Sequence, residues 1–247
     1  CLFLLYQCRH NDPHQHDVNL WFYTKNNTTI AIDAGHLNFP KTSESFRKIN
    51  IDPTRIPHVF ITHADVDHCG GIDIKGTDIY PNAKIHIGKE ETVYLNRQTY
   101  RMKKGNIKLY NCVALREGYE TIDGDKLFNI DGIKIQTVHT PGHTLGHTCY
   151  IVDDTVLFSG DCLAVNEQGG YSFFDFFTQF PDMNKKSLLH LQKIVSTIQP
   201  RYVCTGHSGI RKYSPDIFAH AHESAQFSLK KPFDPYAPYD AFTQNTH

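Results

Sequence analysis

The sequence predicts a fold of mixed class, α/β or α+β, built from strands with helices between and after them. Three pairs of strand-like runs each flank a short turn signal, which is typical of β-hairpins. Residues 187–198 place apolar side chains at positions 188, 191, 195 and 198, the spacing of an amphipathic helix. Of the 247 residues, 40% are apolar, which is enough to bury a sizeable core.

The first half of the chain is predicted to be rich in strands. A hairpin is expected at residues 18–32, where two β-rich runs flank Lys25-Asn26-Asn27. Residues 42–49 predict a short helix, and residues 90–102 a second one that ends at Lys103-Lys104-Gly105. Further strands are expected at residues 2–6, 59–61 and 84–87.

The second half predicts two more hairpins, with turns at Asp131-Gly132 and Asp153-Asp154. Pro200 ends the helix at residues 187–198, because proline cannot continue the hydrogen-bond ladder. A short strand is expected at residues 202–204, and an irregular tail after about residue 230.

Composition narrows the choice of partners and compartment. The net charge of -1 gives no global field to attract nucleic acid or an anionic membrane. The apolar run at residues 2–6 is too short to span a bilayer. The seven cysteines include no C-x-x-C pair, which indicates reduced thiols. We expect a cytoplasmic protein that acts on a small molecule, with its oligomeric state open and a homodimer as one option.

Residues 62–71 hold the densest group of metal-capable side chains, four within six residues: His63, Asp65, Asp67 and His68. The apolar run at residues 59–61 places them in the loop at a strand's carboxyl end, where α/β folds position their chemistry. Imidazole and carboxylate together suit zinc, iron or manganese. A metal site is therefore expected in this loop.

The spacing of this loop resembles the His-x-His-x-Asp-His signature of the metallo-β-lactamase superfamily, and in particular its glyoxalase II-like branch. Three later segments resemble the family's other metal motifs in the same order: residues 140–144 with His143, 159–161 with Asp161, and 205–207 with His207. The resemblance implies an αββα four-layer sandwich. It also implies a single domain over residues 1–247, with a variable, pocket-shaping segment near 89–120.

The same resemblance implies two divalent metal ions, zinc by default, and a ligand role for seven side chains. The implied sets are His63, Asp65 and His143 for the first ion; Asp67, His68 and His207 for the second; and Asp161 as the bridge. A hydroxide that bridges the ions would be the nucleophile. Asp67 would orient it and move its proton.

Asp65 departs from the family pattern, which has a second histidine at this position. A carboxylate adds negative charge and makes the first site harder, which favours iron or manganese relative to zinc. In the alternative interpretation Asp65 points away and the first site is weak or empty, with His147 or His36 as the next candidates to complete it. His147 is otherwise expected in the pocket wall, and Asp33 is expected to be a structural residue near the site.

Several other residues have two interpretations each. The basic side chains of the 89–120 segment could bind an anion or form a solvated helix face: Arg97, Arg101, Lys103 and Lys104. Five aromatic residues within 171–177 could line an apolar pocket or belong to the core. Cys69 and Cys162 each follow a ligand and are expected to be core fillers. His10, His14 and His16 are expected in a solvated loop, with a further metal site as the alternative.

The predicted activity is hydrolysis of an ester, thioester, lactone or related small-molecule bond. The alternatives are an iron oxidoreductase or dioxygenase of the same fold, a β-lactamase or phosphodiesterase, and a scaffold without catalysis. Two details argue against particular subfamilies. Residues 204–208 differ from the last motif of glyoxalase II, and Ala164 stands where acyl-homoserine lactonases usually have tyrosine.

Overall fold

The computed structural model describes residues 4–9, 18–35, 42–73 and 78–226. Its strands, numbered in chain order, are β1 Leu4–Arg9, β2 Asn19–Lys25, β3 Thr28–Ile32, β4 His58–Ile61, β5 Lys84–Gly88, β6 Met102–Lys104, β7 Ile107–Leu109, β8 Glu120–Ile122, β9 Leu127–Ile130, β10 Ile133–His139, β11 Thr148–Val152, β12 Val156–Gly160, β13 Leu163–Asn166, β14 Gly169–Ser172, β15 Tyr202–Thr205, β16 Ile210–Lys212 and β17 His220–Ser224. The α-helices are α1 Thr42–Lys48, α2 Val66–Cys69, α3 Thr92–Leu95 and α4 Pro181–Ile198.

Two six-stranded sheets form the centre of the fold. The first has the strand order β1-β2-β3-β4-β5-β8, and the second has the order β16-β15-β12-β11-β10-β9. Strands β3, β4, β5 and β8 run parallel, and so do β12 and β15. Two smaller sheets, β13-β14-β17 and β6-β7, complete the described strands.

The three predicted hairpin turns are confirmed. Both turn residues have positive φ in each case: Asn26 and Asn27, Asp131 and Gly132, and Asp153 and Asp154. Positive φ at both central residues is the type I′ geometry, whose twist matches that of the flanking strands. Asn, Asp and Gly tolerate this conformation better than other residues, so the turn signals in the sequence were local and reliable.

The two sheets pack face to face around an aromatic core, and helices cover their outer faces. Trp21 and Phe60 of the first sheet meet Tyr150 and Phe158 of the second. The outer face of the first sheet packs against Phe46 of α1 and its neighbours. Three residues of α4 cover the outer face of the second sheet: Leu188, Leu191 and Val195. The predicted αββα sandwich is confirmed.

Helix α4 begins six residues before the predicted start, with Pro181 in its first turn, where proline fits because the first N–H groups lack helical partners. It ends at Ile198, and Gln199 caps it in the left-handed conformation, one residue before Pro200.

The predicted helix at 90–102 is wrong beyond its first turns. The chain forms a 3-10 turn at Lys89–Glu91 and the short α3, and then turns through Arg97 with φ 54° into β6.

Some predictions fall outside the described residues or concern membrane insertion. His10, His14, His16, His36 and the tail after residue 230 lie outside the described residues. Among the helices that the structure does describe, none combines the length and apolar character needed to cross a bilayer.

Candidate metal centre

The seven predicted ligands converge at the edge of the sandwich where strand ends from both sheets meet. The loop after β4 carries His63, Asp65, Asp67 and His68. His143, Asp161 and His207 follow β10, β12 and β15 in the second sheet. All are buried except Asp67 and His207, which are partly exposed. The site therefore lies across the junction of the two sheets and opens to solvent near these two residues.

One cluster contains Asp67, His68 and His207, with Asp161 beside it. The Nε2 of His207 lies 3.3 Å from an oxygen of Asp67 and 3.0 Å from Oδ2 of Asp161. The Nε2 of His68 lies 3.4 Å from the same Asp161 oxygen and 3.4 Å from Nε2 of His207. Ligand atoms of Asp67, His68 and His207 all lie within 4.8 Å of one another, close enough for one ion to contact all three.

A second cluster contains His63, His143 and Asp161, whose ligand atoms also lie within 4.8 Å of one another. Oδ2 of Asp65 lies 3.5 Å from Nε2 of His63 and 3.2 Å from Nε2 of His143. Asp161 Oδ2 is 4.0 Å from Nε2 of His143 as well as close to His68. Asp161 thus lies between the two clusters, which is the position that a bridging ligand needs.

Asp33 positions two of the imidazoles for metal binding. Its carboxylate accepts hydrogen bonds from the Thr62 backbone N–H and hydroxyl and lies 2.9 Å from Nδ1 of His68. Because the Thr62 hydroxyl donates to Asp33, it accepts from Nδ1 of His63 at 2.9 Å. Both histidines therefore carry their proton on Nδ1 and direct the lone pair of Nε2 into the centre, as metal-binding histidines do. The structural role predicted for Asp33 agrees with these contacts.

Unpartnered polar atoms and charge both indicate that the centre suits cations. His63 Nε2 and Asp161 Oδ1 are buried without a hydrogen-bond partner. Burial opposes a charge on His207, but Asp161 and Asp67 outweigh it and raise the pKa of His207 to about 10. Carboxylates this close together need positive charge beside them. Divalent ions held by these nitrogen and oxygen atoms would provide it, so the residues fit a metal centre.

Asp65 forms a buried ion pair with Arg101. The Nε of Arg101 donates to Oδ1 at 2.6 Å and Nη2 donates to Oδ2 at 2.7 Å. Burial alone would raise the pKa of Asp65, but Arg101 outweighs it and holds that pKa well below its usual range. Arg101 is 3% exposed, so neither sequence interpretation describes it, since it faces the centre and not solvent. Lys103 and Lys104 are exposed.

The carboxylate of Glu91 joins the two loops that carry the first motif and the His143 motif. One oxygen accepts the backbone N–H of Ala64 and the other that of Gly146, both at 2.7 Å. Glu91 is fully buried. No sequence signal marked this residue, because its partners lie 27 and 55 positions away and are backbone groups.

His147 lies behind the centre and not in a pocket wall. Its Nε2 accepts the backbone N–H of Asp161 at 3.1 Å, which leaves Nδ1 as the donor to the Thr140 hydroxyl at 2.8 Å. Burial lowers the pKa of His147 to about 4, so the ring is neutral. It also adjoins Cys149 and Cys162, but binding an ion there would break one of its two hydrogen bonds. We assign His147 the role of positioning Asp161.

The remaining predicted residues surround the centre. Cys69 and Cys162 are fully buried, as expected of core fillers. Of the aromatic segment, Phe173 is buried with its ring centroid 5.1 Å from that of His143 and 5.7 Å from that of His207. Phe176, farther from the centre, is 54% exposed. The segment therefore includes both core and surface residues, and Phe173 covers one side of the ligands.

Three curated proteins have sequences that are similar to part of this chain. The chain is 28% identical over 136 residues, 54% of its length, to a Caenorhabditis elegans protein named beta-lactamase-like protein 2 homolog. It is 29% identical over 43% of its length to an atrochrysone carboxyl ACP thioesterase of Pseudocercospora fijiensis. It is 26% identical over 70% of its length to a hydroxyacylglutathione hydrolase of Buchnera aphidicola. The matched regions span 40%, 25% and 60% of these relatives' own lengths.

Solved structures show the same fold at low sequence identity. The metallo-beta-lactamase superfamily protein ST1585 from Sulfolobus tokodaii superposes with a TM-score of 0.62 and 18% identity, covering 92% of this chain and 90% of ST1585. The dizinc quorum-quenching lactonase AidC also has a TM-score of 0.62 and 18% identity, covering 80% of this chain and 75% of AidC.

The family assignment rests on a match over most of the chain. Residues 15–207 match the model of the metallo-beta-lactamase superfamily, a range that contains all seven predicted ligands. The fold, the order of the motifs and this match agree. The chain belongs to the metallo-beta-lactamase superfamily.

Proposed function

We propose that this protein is a metal-dependent hydrolase that cleaves an ester, thioester or lactone of a small molecule. The observation that carries the proposal is the position of Asp161 between two clusters, each holding two histidines whose side chains face it. This arrangement suits two divalent ions that share one carboxylate. Thioesterase and lactonase are named activities of a related sequence and of a similar structure, which supports the same bond classes.

Bound at this centre, divalent ions would supply Lewis-acid activation of a carbonyl group and a hydroxide nucleophile at neutral pH. The chain's own residues account for access and orientation. The side chains of Asp67 and His207 are 29% and 15% exposed, so substrate would reach the centre on their side. Asp67 offers a carboxylate there to orient the nucleophile and to accept its proton. Phe173 excludes water from the adjoining side and offers apolar contact.

Zinc is the metal that we propose. The negative charge that Asp65 adds to the first site would favour iron or manganese. Arg101 pairs with that charge, so the first site has the same net charge as a site with neutral imidazole. This removes the main reason for preferring a harder ion. It also weakens the iron oxygenase alternative, which relied on the same carboxylate.

The proposal is tested by metal analysis together with hydrolysis assays. Purified protein is assayed before chelation, after chelation and after zinc is restored, with a p-nitrophenyl ester, an acyl thioester and an N-acyl homoserine lactone as substrates. We expect hydrolysis of at least one substrate, its loss on chelation and its return with zinc.

Controls for the alternatives are nitrocefin for β-lactamase activity, bis(p-nitrophenyl) phosphate for phosphodiesterase activity, and oxygen consumption for an oxygenase. Full hydrolysis by metal-free protein would overturn the proposal. Oxygen consumption with bound iron would replace it by the oxygenase.

A further inference from the structure

We infer that Arg101 is a positioning residue of the first metal site, and that the pair of Asp65 and Arg101 takes the place of one neutral imidazole. Arg101 holds the Asp65 carboxylate so that Oδ2 faces His63 and His143, and it cancels the charge of that carboxylate. The inference rests on the metal centre proposed above, and it concerns the metal and not the reaction.

The guanidinium of Arg101 contacts Asp65, the aromatic segment and His143. Its Nε carries one hydrogen and its Nη2 carries two. The Nε hydrogen goes to Oδ1 of Asp65, and those of Nη2 go to Oδ2 of Asp65 and to the carbonyl oxygen of Phe177 at 2.8 Å. The Nε2 of His143 lies 3.1 Å from Nη2, within hydrogen-bonding distance, so it shares an Nη2 hydrogen with one of these oxygens. A metal ion bound at Nε2 of His143 would displace this shared contact and leave both Arg101 bonds to Asp65 in place.

Asp65 can contact Arg101 and a metal ion together. A carboxylate oxygen has two lone pairs, and Arg101 uses one of those on Oδ2. The same oxygen lies within 3.5 Å of Nε2 of both His63 and His143. Bidentate pairing with a guanidinium fixes the plane of the carboxylate, and this fixes the direction of the second lone pair. Arg101 therefore sets the orientation of Asp65 as a ligand.

The charges of the two residues depend on each other. The side chains of Arg101 and Asp65 are 2% and 9% exposed, so neither charge is screened well by water. Removing one member of a buried pair leaves the other charge without compensation, which is strongly unfavourable. If Asp65 becomes histidine, the sequence regains the usual family motif, but a buried guanidinium is left beside the incoming ion. The usual motif should therefore work only if Arg101 is changed as well.

The alternative role for Arg101 is purely structural, since its bond to Phe177 also ties the residue before β6 to the aromatic segment. Under that alternative, the effect of residue 65 on metal binding would not depend on residue 101. A double-mutant comparison separates the two roles, because it measures whether the two positions act together.

The experiment compares zinc per chain and zinc affinity in wild type, Asp65→His, the double variant Asp65→His with Arg101→Met, and Arg101→Lys. Each is purified identically, stripped, and titrated with zinc alone, with elemental analysis after dialysis. Lys103→Met is the matched control, because it removes an exposed cation from the same hairpin. Far-ultraviolet circular dichroism of the stripped proteins checks folding.

We expect two zinc ions per chain in wild type and the control, one in Asp65→His, and two again in the double variant. Arg101→Lys keeps the positive charge but loses the bidentate contact with Asp65. We expect the affinity of this variant for one of the two ions to fall at least tenfold. Two ions in Asp65→His, or unchanged affinities in Arg101→Lys if Asp65→His does not fold, would overturn the inference. A wild type that binds no metal would instead overturn the proposed centre.

Discussion

Oδ2 of Asp33 lies 2.9 Å from Nδ1 of His68, and this contact fixes which nitrogen of the imidazole faces the metal centre. The same carboxylate accepts two hydrogen bonds from Thr62, so one side chain orients both the loop and its ligand. Asp33 has φ 64°, a left-handed conformation that aspartate and asparagine tolerate better than most residues. A substitution to asparagine should therefore keep the backbone and change only the hydrogen bonding.

Asp33→Asn should weaken zinc binding by about 10–100-fold, the usual effect of losing a partner behind a metal-binding histidine. Asparagine cannot accept from both Thr62 and His68 as the carboxylate does, so His68 loses its fixed tautomer. Competitive titration with a coloured zinc chelator measures the affinity. Unchanged affinity in a folded variant would show that Asp33 does not orient His68.

Asp161→Ala should reduce the metal content of both sites, because Asp161 lies between the two clusters. We expect loss of at least one ion per chain and a fall in turnover by orders of magnitude, with the fold retained. Elemental analysis and the hydrolysis assay measure these effects. Asp123→Ala, which removes an exposed carboxylate in a surface ion pair, is the control. A variant that retains two ions and full activity would show that the bridge is another residue.

Chelation should lower the thermal stability of the protein. Ions bind the folded state across several loops, so each ion stabilises it by about 2.7 kcal/mol at a free concentration 100 times its dissociation constant. For a chain of this length, that corresponds to a melting temperature about 5–11 °C lower for each ion that chelation removes. Calorimetry with and without chelator measures it, and zinc should restore the original value. An unchanged melting temperature would contradict metal binding to the folded state.

Glu91→Gln should change how stability depends on pH. Burial raises the pKa of Glu91 to about 7, against the lowering effect of the hydrogen bonds that it accepts from the backbone N–H groups of Ala64 and Gly146. The unfolded value is about 4.3, so the folded state holds the proton more tightly between these values. The stability that this group contributes is complete below about pH 4 and is lost as the pH rises through 7.

The glutamine variant lacks this titration. At pH 5 we expect it to be about 1–3 kcal/mol less stable than wild type, because its amide leaves one backbone N–H without an acceptor. The difference in the free energy of unfolding between the two proteins should become smaller from pH 5 to pH 8, because only the wild type loses stability over this range. Urea unfolding at each pH measures both free energies, and a difference that stays constant would rule out a raised pKa for Glu91.

The sequence predicted those parts of the fold and site that depend on local patterns. Hairpin turns, the apolar face of α4 and the four metal motifs each lie within a few neighbouring residues. Three residues that support the centre could not be predicted in this way: Glu91, Arg101 and His147. Their partners lie 7 to 76 positions away and include backbone N–H groups, which carry no sequence signal.

The segment at residues 90–102 shows that local composition can also predict the wrong secondary structure. Its composition favoured a helix, but Glu91 and Arg101 each turn inward to a different contact with the centre. An uninterrupted helix would present only one face to the protein, so these tertiary contacts override the local preference.

The metal centre also bears on how the chain folds. The predicted ligands come from the loop after β4 in the first sheet and from the loops after β10, β12 and β15 in the second. Neither sheet alone carries a complete set for either ion, so the full centre arises only after the sheets have docked around their aromatic core. Ions that bind after the rate-limiting step would slow unfolding and leave the refolding rate nearly unchanged. Metal binding would then lengthen the lifetime of the native state without changing how fast the native state forms.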